Sequence, residues 1–275
     1  MNFKHQNAII TGGSSGIGKE TARLLVLAGS NLCLIARDLT KLAKIQSELM
    51  TQRVFPEQKI LIYSADVSNQ QQIKSVIARA IANLGVPDLL ITSAGITHPD
   101  YFSNLSSEIF EQMMAVNYFG SLYCVQTVLP YMLKKGTGHI VFISSAAGLI
   151  GIYGYTAYSA SKFAIRGLAE SLRLELKPAG ITLSVVYPPD TDTPQLETEN
   201  KTKPPETKAI AGAVKIWSPE AIAQEILKGI KQKTFMITPG LEISFLSKFH
   251  SLLATPLNWY FEAKIKQIQR QNPLN

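Results

Sequence analysis

Residues 11–18 read TGGSSGIG, directly after the β-branched run NAIIT (7–11) and at the head of a helix-spaced segment, Ile17–Ala28. A strand that ends in a glycine-rich turn and then opens a helix presents main chain, rather than side chain, to a ligand. Its glycines let the backbone approach a pyrophosphate, and the helix start offers unpaired N–H groups and the positive end of its dipole. The spacing Thr11-Gly12-x-x-x-Gly16-x-Gly18 departs from the usual G-x-G-x-x-G, so the turn takes its meaning from the chain around it.

That chain alternates. Further strand-like runs are NLCLIA (31–36), KILIYSA (59–65), DLLITS (88–93), HIVFIS (139–144), ITLSVVY (181–187) and FMIT (235–238), separated mostly by helix-spaced segments such as Gln70–Leu84. Strands alternating with helices predict a parallel sheet with helices on both faces, and near-continuous apolar strands fit burial on both sides. With right-handed crossovers the expected fold is a doubly wound α/β sheet of the Rossmann type. No composition break divides the first 187 residues, which predicts a single domain over 1–240 with a C-terminal extension over 241–275. Residues 190–216, rich in Pro, Thr, Lys and Glu, read as a long irregular substrate loop. The extension is apolar and aromatic, and two readings stand: a helix pair packed on the core, or a membrane-surface segment carrying Lys248, Lys264 and Lys266.

The chain of 275 residues is 46% hydrophobic, with a mean hydropathy of +0.09, which excludes a disordered chain. A net charge of +7 favours an anionic partner, but the Lys and Arg residues are scattered, so no nucleic acid is expected. Cys33 and Cys124 sit in apolar surroundings and read as buried free thiols in a reducing compartment. MNFKHQNAIITGG carries no signal-peptide pattern, and no apolar run is long enough to span a bilayer. The expectation is a cytoplasmic chain, with membrane association left open through the tail. No metal is expected.

Phosphate chemistry separates the possible dinucleotides. Counting from Gly18 reaches Asp38, which would favour NAD, yet Arg37 lies nearest the end of the second strand and Lys41 follows one helical turn later. Asp38 reads as a helix N-cap, and Arg37 and Lys41 as the binding site for the 2′-phosphate of NADP. At the end of the third strand, the Asp66-Val67 pair offers a carboxylate for an adenine amino group, and Asp66 is equally suited to cap the helix after it. Tyr158-Ser-Ala-Ser-Lys162 puts a phenol and an ammonium on one helix face. A phenol with a pKa of about 10 is a poor acid near neutrality, and a nearby ammonium lowers that value. Ser145 leaves the fifth strand at the same sheet edge as the glycine turn and Asp66, and that convergence marks a site.

Taken together, Thr11–Gly18, Asp66-Val67, Asn117, Ser145 and Tyr158-x-x-x-Lys162 resemble the short-chain dehydrogenase/reductase family. The resemblance implies that Ser145 polarises a substrate carbonyl and Tyr158 donates the proton. It implies that Lys162 binds the ribose hydroxyls and depresses the Tyr158 pKa, while Asn117 holds a water relay to Lys162. Gly12, Ser14, Ser15, Gly16, Ile17 and Gly18 would hold the pyrophosphate, with Ala94 small enough to let the cofactor pass. Thr191 and Thr193 would meet the nicotinamide carboxamide. A homodimer or homotetramer through the helices carrying Asn117 and Tyr158 is also implied. Two motifs depart from the family: Thr92-Ser93-Ala94-Gly95 stands for Asn-Asn-Ala-Gly, and Pro188-Pro189 for Pro-Gly.

The longer strings IYGYTAYSASKFAIRGLAESL (152–172) and YPPDTDTPQLETENKTKPPET (187–207) are similar to the branch of that family that reduces the C3 ketone of a long-chain sphingoid base. For such an amphiphile, Asp190, Asp192, Glu197 and Glu199 are candidate partners of its ammonium, and Tyr153 and Tyr155 would pack around the substrate mouth. The alternatives are a reductase of the same fold acting on a 3-oxoacyl or other lipid ketone, and a non-catalytic NADP sensor.

Overall fold

The computed structural model describes residues 2–212 and 215–271. Among these, β1 (Asn7–Thr11), β2 (Asn31–Ala36), β3 (Ile60–Ser64), β4 (Leu89–Thr92), β5 (Gly138–Ile143), β6 (Ile181–Val186) and β7 (Met236–Ile237) form one sheet. The order is β3-β2-β1-β4-β5-β6-β7, and every pairing is parallel. Thr11 pairs with Ile35 on β2 and with Thr92 on β4, so the turns that follow these three strands leave the sheet at one level.

Alternate strand residues supply the two faces. Ile10, Leu34, Ile91 and Val141 pack against α1 (Gly16–Leu27), α2 (Leu39–Met50) and α9 (Pro219–Gln232). Ile9, Cys33, Leu90 and Ile140 face α3 (Gln70–Leu84), α5 (Gly120–Lys135) and α6 (Thr156–Leu176). The stripe Ile222, Ile226, Ile230 on α9 shows the logic, because spacing of four keeps all three on one face and all are fully buried. Each contributes about 1.5–3 kcal/mol of hydrophobic stabilisation. Cys33 and Cys124 are buried free thiols, and burial pushes both up to about 12.

The structure corrects the reading of residues 190–216 as irregular. They contain α7 (Pro194–Thr202) and α8 (Pro205–Ala211). Thr193 caps α7 by accepting from the Leu196 N–H, and both helices begin on proline, whose fixed φ and missing donor suit a first helical position. Trp217 closes the insert, bonding through its N–H to the Asp190 carbonyl and through its carbonyl to the Asp192 N–H.

The extension is likewise one helix, α10 (Leu241–Gln271), and not a pair. Pro256 removes one backbone donor, but the inward stripe Ile243, Leu246, His250, Leu253, Leu257, Phe261 continues at three- and four-residue spacing across it. The other face leaves Leu241, Phe245, Leu252 and Trp259 exposed. Among the described residues no helix is long and apolar enough to cross a membrane.

His139 ties this half of the sheet together. Ser184 gives its proton to the Thr234 carbonyl at 2.6 Å, so His139 Nε2, 2.8 Å away, must be the donor to Ser184. Burial, with Lys233 adding, pushes the imidazole down to about 4. The folded chain therefore refuses a proton that the unfolded chain accepts near pH 6.5. Stability is lost as pH falls from that value towards about 4, by up to about 3 kcal/mol. Urea unfolding at pH 7 and at about pH 4.5 tests this, with His139→Gln expected to lose less stability on acidification than the wild type.

Candidate active site

A cavity of about 390 Å³ runs along the carboxyl edge of the sheet. Every expected dinucleotide contact, from Gly12 to Thr193, lines it. The turn after β1 fits a pyrophosphate on its own geometry. Gly12 has φ 71°, and a side-chain carbon there would lie 2.7 Å from the Ala94 nitrogen. One at Gly18 would overlap the Gly12 carbonyl oxygen. Ser15 precedes α1 but does not cap it, whereas Asp38 and Asn69 cap α2 and α3 with their side chains. The first N–H groups of α1 are thus left for an anion. The bare Gly12 is what lets this turn pack against the main chain of Ser93 and Ala94 beyond β4.

At the far end of the cavity, Asp38 accepts from the Lys41 N–H at 2.9 Å and is committed to capping, as the sequence suggests. Arg37 is exposed beside it and makes no ion pair among the described residues, while the Lys41 ammonium lies 3.8 Å from Asp38. Asp66 lines the cavity but does not cap α3. It accepts from the Ser68 N–H and hydroxyl, and Asn69 caps the helix instead, because α3 begins at Gln70, three residues too late for Asp66 to be its cap.

The reaction end gathers Ser145, Tyr158 and Lys162. Ser145 opens a short turn after β5, and its hydroxyl and the Gln195 amide of α7 both act to lower the Tyr158 phenol. Lys162 Nζ donates to the Ile143 carbonyl at 3.0 Å and lies 5.5 Å from the centre of the Tyr158 ring. Burial holds this lysine down at about 8 despite the nearby Glu199. The expected depression of the Tyr158 phenol is not seen. Burial and then the Glu199 charge push it up, against the opposing hydrogen bonds from Ser145 and Gln195. The phenol therefore keeps its proton at neutral pH, as a proton donor must.

Asn117 lies behind the cavity rather than in it. α4 (Ser107–Met113) passes into α5 through a π-helical turn, Met114–Phe119, whose extra residue aims Asn117 inward. Its side chain accepts from the Ile96 N–H at 2.9 Å and donates to the Ile96 carbonyl and the Ser161 hydroxyl. Those bonds fix the loop after β4 against α6. Thr191 donates its hydroxyl to the Pro189 carbonyl, and Thr193 is the cap of α7, so both line the cavity with their hydroxyls already partly engaged.

Of the four acids expected to meet an ammonium, Asp190 and Glu199 line the cavity, whereas Asp192 and Glu197 are exposed outside it. Tyr155 also lines it, donating to Glu199 at 2.6 Å, and Tyr153 packs edge-on to Tyr101. Gln195 and Lys203 escaped the sequence reading. They lie far along the chain from Tyr158, and no spacing rule connects them.

A model of the short chain dehydrogenase family matches residues 6–204, and the chain belongs to that family. It is an oxidoreductase with a dinucleotide-binding Rossmann fold, acting on a CH–OH/C=O group. Its relatives include a 3-ketodihydrosphingosine reductase of Dictyostelium discoideum, 43% identical over 92% of this chain and 84% of that one. A mouse (Mus musculus) protein of the same name is 42% identical over 88% of this chain and 73% of its own. A levodione reductase structure matches the fold with TM-score 0.78 at 23% identity, over 86% of this chain and 96% of that one. A Burkholderia phymatum short-chain dehydrogenase/reductase in complex with NAD matches with TM-score 0.82 at 23% identity, over 94% of this chain and 96% of that one.

If Tyr158 is the proton donor, Tyr158→Phe should cut ketone reduction by a factor of about 10² or more. Dinucleotide binding, followed by fluorescence titration, should remain. Turnover at the wild-type rate would remove Tyr158 from that role.

Proposed function

We propose that the chain reduces the C3 ketone of 3-ketodihydrosphingosine to the alcohol with NADPH. The observation that carries the substrate assignment is α7. The segment that resembles the sphingoid-base branch folds as a helix whose Gln195, Leu196 and Glu199 line the same cavity as Tyr158. Relatives named for this reaction share its sequence over most of the chain.

The dinucleotide, when bound, supplies the hydride. The glycine turn and the start of α1 hold its pyrophosphate, Lys162 holds ribose hydroxyls, and Thr191 and Thr193 offer their remaining hydrogen-bonding capacity to the carboxamide. Ser145 donates to the ketone oxygen, and Tyr158 delivers the proton to the oxygen as it becomes an alkoxide. Asn117 holds the loop and helix that position Lys162; a water relay to Lys162 is what the family resemblance implies for it. NADPH is favoured over NADH because Asp38 is committed to the α2 cap, leaving Arg37 and Lys41 for a 2′-phosphate. An NADPH-oxidation assay on 3-ketodihydrosphingosine tests the reading, and absence of turnover would refute it. Arg37→Ala should weaken NADPH by about tenfold or more and NADH little. Equal losses would refute the phosphate assignment.

We also propose that the outer face of α10 rests on an anionic lipid surface. Leu241, Phe245, Leu252 and Trp259 form one exposed stripe, flanked by Lys248 and Lys266. The chain should co-sediment with phosphatidylserine vesicles and less with phosphatidylcholine alone, and Leu252→Glu with Trp259→Glu should release it. A wild-type chain that stays in the supernatant ends this reading.

A further inference from the structure

Behind Tyr158 the cavity wall holds a buried charge constellation that the hydride and proton chemistry does not need. Glu199 is 7% exposed and accepts from Tyr155 and, at 3.1 Å, from Gln195 Nε2. Lys203, 5% exposed, bridges it to Asp190, at 3.7 Å from Glu199 and 3.4 Å from Asp190. Two carboxylates thus share the Lys203 ammonium, and the other cation near Glu199, Lys162, is held down at about 8 by burial. Both carboxylates line the cavity, whereas Lys203 lies outside its lining. The field of Glu199 reaches Tyr158 and Lys162. Holding two carboxylates largely out of water is expensive, and an arriving cation recovers part of that cost.

We infer that Asp190 and Glu199 bind the protonated amine of the substrate and select amino ketones over neutral or anionic ones. This rests on the sphingoid-base reading and adds to it the groups that set specificity. Tyr155 and Lys203 act as positioning residues. Tyr155 fixes one Glu199 oxygen, and Lys203 offsets part of the repulsion between the two carboxylates while leaving charge for the ligand. An anionic thioester such as a 3-oxoacyl carrier conjugate would meet the same wall with the wrong sign. A wall that served only to latch α7 to α6 would treat charged and neutral ketones alike.

The experiment compares two ketones of equal chain length, a long-chain 2-amino-3-ketone and the same ketone without the amine. The readout is the ratio of their kcat/KM values with NADPH. A ratio cancels any change that a variant makes to the Tyr158 proton or to cofactor binding. In the wild type the amine should be preferred by about tenfold or more, and Glu199→Gln should bring the ratio close to one. Asp192→Asn, outside the cavity, should leave it as in the wild type. Should Glu199→Gln fail to fold, Asp190→Asn, on a less buried side chain, decides, with a reduced ratio supporting the inference and an unchanged one overturning it. A folded Glu199→Gln enzyme with the wild-type ratio overturns it, and so does a wild type that reduces both ketones equally well. In that last case the sphingoid-base reading survives. A wild type that reduces the neutral ketone and not the amino ketone overturns both.

Discussion

A parallel sheet buried on both faces sends every strand into a turn at the same edge, and the site depends on that constraint. Gly12 follows β1, Arg37 follows β2, Asp66 follows β3, Ala94 follows β4, Ser145 follows β5 and Thr191 follows β6. Each arrives within a few residues of the last hydrogen-bonded strand position, so the sheet register that aligns Thr11 with Ile35 and Thr92 also aligns the groups beyond them. Tyr158 and Lys162 reach the same place from the first turns of α6, which packs across the sheet and is fixed by the bond from Asn117 to Ser161.

The electrostatics of the site follow from burial more than from pairing. A lysine and a phenol packed side by side in water would each favour the charged form of the other. Enclosed in the protein, each moves towards neutrality instead, the lysine down to about 8 and the phenol upward. The nearby Glu199 reinforces the shift of the phenol and opposes that of the lysine. The result is a protonated phenol beside a lysine that can still carry charge at neutral pH, a combination suited to giving a proton away.

The strands and helices of the sheet were legible because hydrophobic periodicity and turn chemistry act locally. Gln70–Leu84 is a helix in both readings, and the Asp38 cap was readable from its place after β2. Asn117 and Ser145 were named through resemblance, since spacing alone says little about either; the structure puts Ser145 in the cavity and Asn117 behind it. What could not be read depends on contacts between distant segments. α7 has a polar sequence with no apolar stripe to announce it, and its hold on the protein comes from Glu199 meeting Tyr155 and Lys203 meeting Asp190. The start of α3 lies three residues further on than a cap at Asp66 requires, which gives the cap to Asn69. The single helix of α10 emerges only when Pro256 is weighed against an apolar stripe that runs through it on both sides.

The clasp between Trp217 and residues 190–192 gives the insert a common neck, where the chain leaves the sheet region and returns to it. Between its ends, α7 and α8 are also tied to the body of the protein, by Glu199 to Tyr155, Glu206 to Tyr101 and Thr207 to the Tyr153 carbonyl. A change in the insert therefore has to respect those anchor points as well as the neck. A scaffold built this way divides its labour: the sheet edge sets where the chain turns, and three tyrosines of the body decide which side chains of the insert can face the cavity.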